Sequence, residues 1–318
     1  MDAPAVYVKQ AGLLWLAGFR EACCLHRVFF FCSRSRELLK RTGQCFLLNG
    51  LIFLGSIIIL NSIVIPILLW ILPDQCHHFG SRDLCGAGDI LKLYSSLRFI
   101  LIKLFYIFWF YPLYVFSFVL SSIWYNDIAK LAFSSMGIES SSQSELSNTT
   151  NVAHVDRQAG LGRAIIEFGE QVYSVLLLTF FFIEVYAAEF IPYIGKAINF
   201  LLLSWMYAYY CFEYKWNLTE LGLDKRIDFF ESNWAFFAGF GSPCVMAIFF
   251  FSQLVSYGVM ATLFPLFVLT AVGTQAEQVI DSQRKSWKGR GLGKLRLFNA
   301  ADTLATRLLH IIYKDRRD

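Results

Sequence analysis

From Phe46 to Leu72 the chain carries no charged residue, with Pro66 inside the run and Pro73 closing it. The run exceeds the roughly 20 apolar residues that cross a hydrocarbon core as a helix. In that solvent each backbone N–H and C=O must be satisfied internally, so a spanning segment is a helix or part of a closed barrel. An unbroken apolar run selects the helix. Similar runs follow at about Phe99 to Ile123, Val172 to Ile191 and Ala197 to Phe212. A last charge-free stretch, Trp234 to Thr274, is too long for one crossing. It is expected to divide near Gly258 and Pro265, into roughly Ala235 to Tyr257 and Val259 to Thr274. The sequence therefore predicts an all-α polytopic membrane protein of about six apolar elements. The short fourth element and the sparse connection at Pro192 and Gly195 suggest short or re-entrant hairpins. Composition agrees, since 56% of the 318 residues are hydrophobic and only 16% charged, where a soluble domain carries about a quarter charged.

The segments outside these runs define the remaining organisation. Residues 1–45 interleave Lys9, Arg20, Arg27, Arg34, Arg36, Lys40 and Arg41 with Leu, Trp and Phe. This mixture predicts a basic amphipathic helix at an anionic membrane surface. Residues 46–274 form the membrane domain, with a polar loop from Asp74 to Arg98 and a Ser-, Thr- and Asn-rich loop over 134–151. That second loop is too poor in apolar groups to offset chain entropy and is expected to be disordered. Residues 275–318 form a basic tail in which Leu297, Ala301, Leu304, Leu308 and Ile312 recur at helical spacing, giving a second interfacial helix.

Basic residues at both ends place both termini in the cytosol, which an even number of crossings satisfies. They are a topology signal, and no nucleic-acid surface is read from them. Asp74 to Arg98 then faces the lumen, where Cys76 and Cys85 either close a disulfide or remain unpaired; the alternative, a metal grip with His77 and His78, has no other support in the loop. Cys23, Cys24 and Cys32 lie among bases on the cytosolic side, as unmodified thiols or palmitoylation sites. Charges inside spans are costly, so Lys103, Glu184 and Glu189 require an account. They line a polar path, pair with one another, or snorkel to the interface. No His-Glu-x-x-His helix, Walker lysine or nucleophile elbow is present. Gly289, Gly291 and Gly293 lack the preceding strand that a phosphate cradle needs, and read as a linker. No enzyme activity, cofactor or metal is expected.

The run Tyr210, Cys211, Phe212, Glu213, Tyr214, Lys215 and Trp216, with Asn233, Trp234, Gly239, Gly241 and Pro243, resembles the etoposide-induced membrane protein family. Trp124, Asp127 and Pro265, in their local runs, extend the resemblance over about residues 45–310. It implies an endoplasmic-reticulum protein associated with autophagy and growth control, in a domain family shared with the bacterial sulfate permease CysZ. Two functions follow as expectations: a non-enzymatic membrane scaffold, or a sulfate or other anion channel. The expected partners are the bilayer, anionic lipid headgroups, proteins the sequence does not name, and a second copy of the chain.

Overall fold

The computed structural model describes residues 3–72, 88–137, 157–285, 287 and 292–315. The proposed Cys76–Cys85 pairing and most of the 134–151 loop lie outside these residues. In order, the chain forms α1 (Ala3–Ala22), α2 (His26–Arg34) and a long α3 (Arg36–Ile71). Helix α4 covers residues 88–135, and α5 is Arg157–Ala188. Then come α6 (Gly195–Leu218), α7 (Leu223–Ser232), α8 (Trp234–Met246), α9 (Gln253–Gly273), α10 (Ala276–Lys285) and α11 (Asn299–Asp315). The described residues contain no strand. Arg36–Ile71, Lys92–Ser135 and Gln253–Gly273 are long and apolar enough to cross a membrane, and Val172–Ala188 and Trp234–Met246 are shorter apolar helices. The protein is an all-α polytopic membrane protein.

Helix α8 is the centre of the packing. It is apolar on all sides, as a fully enclosed helix must be, and Phe236, Phe237 and Phe240 are completely buried. Helix α1 lies along one side of it and α6 along another. Glycine makes both approaches possible. A Cβ on Gly239 would lie 2.6 Å from the Trp15 carbonyl carbon, and one on Gly241 would lie 2.5 Å from that of Ser204. Gly18 of α1 faces the Phe236 and Phe240 backbone in the same way. In hydrocarbon, where apolar surface has no water to escape, such close small-residue crossings gain dispersion contacts that larger residues forfeit. The N-terminal helix therefore does more than lie on a surface: its Leu14 and Ala22 are buried in the bundle.

Helices α3, α4 and α9 form the second layer. Gly258 of α9 admits Phe53 and Leu54 of α3, and Gly50 lies against Thr262. The expected division near Gly258 and Pro265 is not where the chain turns. Both residues lie inside α9, and the turn falls at residues 247–252. Gly258 serves a helix crossing, and the break that Pro265 would make is repaired by neighbours, as described below. The 74–98 loop is also shorter than expected, because α4 is already helical from Gly88. Just before Pro66 and Pro112, which lack an N–H, the turns Leu60–Val64 and Tyr106–Phe110 relax to π spacing. Beyond the start of α9, α3 and α4 continue as a bare pair, with Trp70 80% and Phe108 74% exposed, surfaces suited to lipid.

Candidate functional site: a polar cleft and two clamps in the helical bundle

Pro265 removes the N–H that would bond the Ala261 carbonyl within α9. That oxygen instead accepts the Tyr125 hydroxyl at 2.8 Å and the Asn49 side-chain amide at 3.2 Å. The same amide donates to Ser121 at 2.9 Å, the Ser117 hydroxyl donates to Asn49 Oδ1, and Ser117 lies 3.2 Å from the Tyr257 hydroxyl. Asn49, Ser117 and Ser121 are buried. The network thus ties α3, α4 and α9 together at a depth where an unpaired polar group would cost several kcal/mol. Sequence reasoning singled out Pro265 and missed the others. The available signal was Asn49, an amide near the start of a charge-free run.

A cleft of about 780 Å³ opens beside this network, between α4, α5, α6 and α9. Ser121, Tyr125 and Tyr257 reach it from the network side, and Tyr207 and Tyr210 from α6. Glu189 at the end of α5, Lys196 in the first turn of α6 and Gln253 in the first turn of α9 also line it. A smaller cavity of about 350 Å³ shares Phe182 and Tyr210 with it and reaches Glu213. Of the expected intramembrane charges, only Glu189 lines the cleft. Glu184 has a buried oxygen without a partner, and Lys103 is exposed with its ammonium 5.3 Å from the Phe99 ring centre. No ion pair joins Lys103 to either glutamate among the described residues.

At the opposite, basic end of the bundle two clamps hold the terminal segments. In the first, Thr274, just past α9, is the node: its carbonyl accepts Lys215, and its hydroxyl lies 2.8 Å from Arg27 and 3.2 Å from Glu21. Arg27 and Glu21 pair at 2.5 Å, which fixes the α1–α2 corner to α6 and α9. In the second, the Asn233 amide donates to Phe229 O at 2.8 Å, while its Oδ1 accepts Arg284 at 2.8 Å. The Trp234 indole donates to Gly293 O at 3.2 Å, and the Trp234 carbonyl accepts the Trp205 indole at 2.8 Å. The buried Glu231 carboxylate accepts the Phe298 N–H at 3.1 Å and pairs with Lys294 at 3.3 Å. Lys294 also bonds Asp228 at 2.7 Å, and Asp228, with Glu231, holds the ammonium above the ordinary lysine range. Helix α11 then docks on α5 through Tyr173 and Asp302 and the Phe181–Phe298 ring pair at 4.9 Å.

The motif residues quoted from the sequence thus gather around α6 and α8. Cys211 and Phe212 are buried, Phe212 with its ring 4.9 Å from Phe240, and Trp216 meets Phe230 and Phe237. Tyr214 faces Phe264 at 6.2 Å, and Pro243 lies within α8. Trp124 packs at the edge of the core, and Asp127 lies 3.8 Å from Arg41. Glu231, Thr274 and Arg284 complete the clamps without having been singled out in the sequence.

The family model described as "Sulfate transporter CysZ/Etoposide-induced protein 2.4" matches residues 24–265. The chain belongs to the CysZ/etoposide-induced protein 2.4 family. An Arabidopsis thaliana relative, "Protein EI24 homolog", is 60% identical over 309 residues, covering 95% of this chain and 96% of that protein. A Dictyostelium discoideum protein of the same name is 30% identical over 270 residues, covering 85% and 76%. "Ectopic P granules protein 4" of Caenorhabditis elegans is 35% identical over 101 residues, covering 31% and 32%. No solved structure matches the chain. The matched span runs from the α1–α2 corner to Pro265, so it contains the polar network, the cleft and the glycines of α8.

Proposed function

We propose that this member of the CysZ/etoposide-induced protein 2.4 family is a non-enzymatic scaffold of the endoplasmic-reticulum membrane that acts in autophagy and growth control. The carrying observation is the pair of clamps. They fasten α1, α2, α10 and the segment leading into α11 to one end of the bundle, making a rigid platform that bears Arg20, Arg34, Arg36, Lys285 and Arg296. Excess basic charge marks the cytosolic side, so the platform faces the cytosol with both termini. Anionic headgroups and protein partners are its natural contacts, and a second copy of the chain is a further one. A relative named for misplaced P granules supports a role in clearance. Cells lacking the chain should accumulate undegraded autophagic cargo. Re-expression of the wild type should restore clearance, and normal clearance in the depleted cells would overturn the proposal.

A second reading, an anion permease, draws on the family description and on one feature of the cleft. Lys196 and the first turns of α6 and α9 open onto it, and helix N-termini favour anions. Glu189 in the same lining opposes that reading.

A further inference from the structure

The chemistry of the cleft changes along its length. Its mouth holds one carboxylate and one ammonium, Glu189 and Lys196, which do not pair with each other. Lys196 and Glu213 are about 26 Å apart along α6 at 1.5 Å per residue, less than the roughly 30 Å of a hydrocarbon core. With Glu213 at the basic-end boundary, the mouth charges sit slightly inside the far one, where unaccompanied charge is costly. Deeper along α6 and α9 the lining turns apolar, with Leu203, Met260 and Phe264. Among them the mostly buried Tyr207 has a hydroxyl with no hydrogen-bond partner among the described residues. The smaller cavity prolongs this groove between α5 and α6 through Phe182 and Tyr210.

We propose that the cleft takes one zwitterionic glycerophospholipid from the bilayer. Its phosphate sits on Lys196, its ammonium on Glu189, and one acyl chain lies in the aromatic groove. Tyr207 and Tyr210 line the groove that holds that chain. Cleft and headgroup are complementary in charge. The mouth carries one charge of each sign, which matches a dipolar headgroup and disfavours a purely anionic one. The volume falls within the roughly 300–1,000 Å³ of small-molecule sites. The inference does not depend on the scaffold reading, and an anion path through the same cleft would exclude it.

The test uses the full-length purified chain in maltoside micelles with phosphatidylcholine bearing a diazirine at the end of one acyl chain. After irradiation, label should appear on peptides from α5, α6 and the 247–264 region. Unlabelled phosphatidylcholine should displace it about tenfold more effectively than phosphatidylglycerol, and sulfate should not displace it. Glu189→Gln with Lys196→Gln, or Leu203→Trp, should lower this label several-fold while label on the exposed α3 and α4 surfaces stays constant. If these variants fail to fold, the competition series in the wild type decides. Label confined to α3 and α4 would overturn the proposal, as would equal displacement by phosphatidylglycerol, displacement by sulfate, or undiminished cleft label in well-folded variants.

Discussion

Gly239 of α8 lies directly against the Trp15 carbonyl of α1, so close that a side chain at this position would overlap the backbone of the neighbouring helix. Two residues on, Gly241 stands in the same relation to Ser204 of α6. One short helix therefore carries two glycine faces and joins the N-terminal helix to the α5–α6 hairpin.

Gly239→Ala and Gly241→Ala should each destabilise the protein by about 1–3 kcal/mol, the usual cost of overpacking. Neither neighbour can yield without moving backbone. Gly12→Ala, whose Cβ would meet nothing within 4 Å, should be neutral or stabilising by about 0.5–1 kcal/mol, because helical glycine is entropically costly. Thermal unfolding in detergent gives the order. Equal midpoints for the three variants would refute the packing scheme.

The Ala261 carbonyl gives a sharper test. Tyr125→Phe removes one of its two donors and should cost about 1 kcal/mol, in the range measured for hydrogen bonds between membrane helices. In a Pro265→Ala background the carbonyl regains an intrahelical N–H, so the same substitution should cost less. A double-mutant cycle measures this coupling. Strict additivity would show that Tyr125 does not answer for the proline.

Most of the fold was legible, because apolar runs and proline positions report directly on length and solvent. The misplaced division in Trp234 to Thr274 shows the limit. Gly258 and Pro265 read locally as breaks, whereas Phe53, Asn49 and Tyr125, far away in sequence, convert them into a crossing point and a bonded carbonyl. The site was less legible for the same reason. Glu189 stood out as an intramembrane charge, but its cleft partners Lys196 and Tyr207 acquire meaning only when α5, α6 and α9 are assembled. Glu231 carried no signal in the sequence, because its role arises only when the tail returns to cover it.

That covering makes the second clamp testable. Glu231→Ala leaves the Phe298 N–H without its acceptor and should free residues 292–298, raising tryptic cleavage after Lys294 and Arg296. The Lys294 contribution has a defined sign. Its folded-state pKa is raised, foremost by the bond to Asp228, so the stabilisation is complete below the ordinary lysine range and is lost as pH rises through the folded value. The difference in thermal midpoint between wild type and Lys294→Gln should therefore be constant near neutrality and shrink above about pH 10.4, the unperturbed lysine value. A difference that grows with pH would contradict the assignment.

Glycosylation reports on orientation. Asn148-Thr149-Thr150 and Asn217-Leu218-Thr219 are acceptor triplets, and the proposed topology holds both in the cytosol. Asn217 is in addition the last-turn residue whose Oδ1 accepts Arg226 at 2.5 Å. Expressed in a glycosylating cell, the chain should show no glycosidase-sensitive mass. A shift that disappears in Asn148→Gln would invert the topology and turn the clamped platform toward the lumen.

The scaffold reading is tested most directly by uptake of labelled sulfate into liposomes carrying the purified chain. The account predicts uptake no faster than into protein-free vesicles across a range of sulfate concentrations, with Lys196→Gln indistinguishable from the wild type. Saturable uptake well above protein-free vesicles and reduced in Lys196→Gln would contradict it, and would make the cleft between α5, α6 and α9 an anion path.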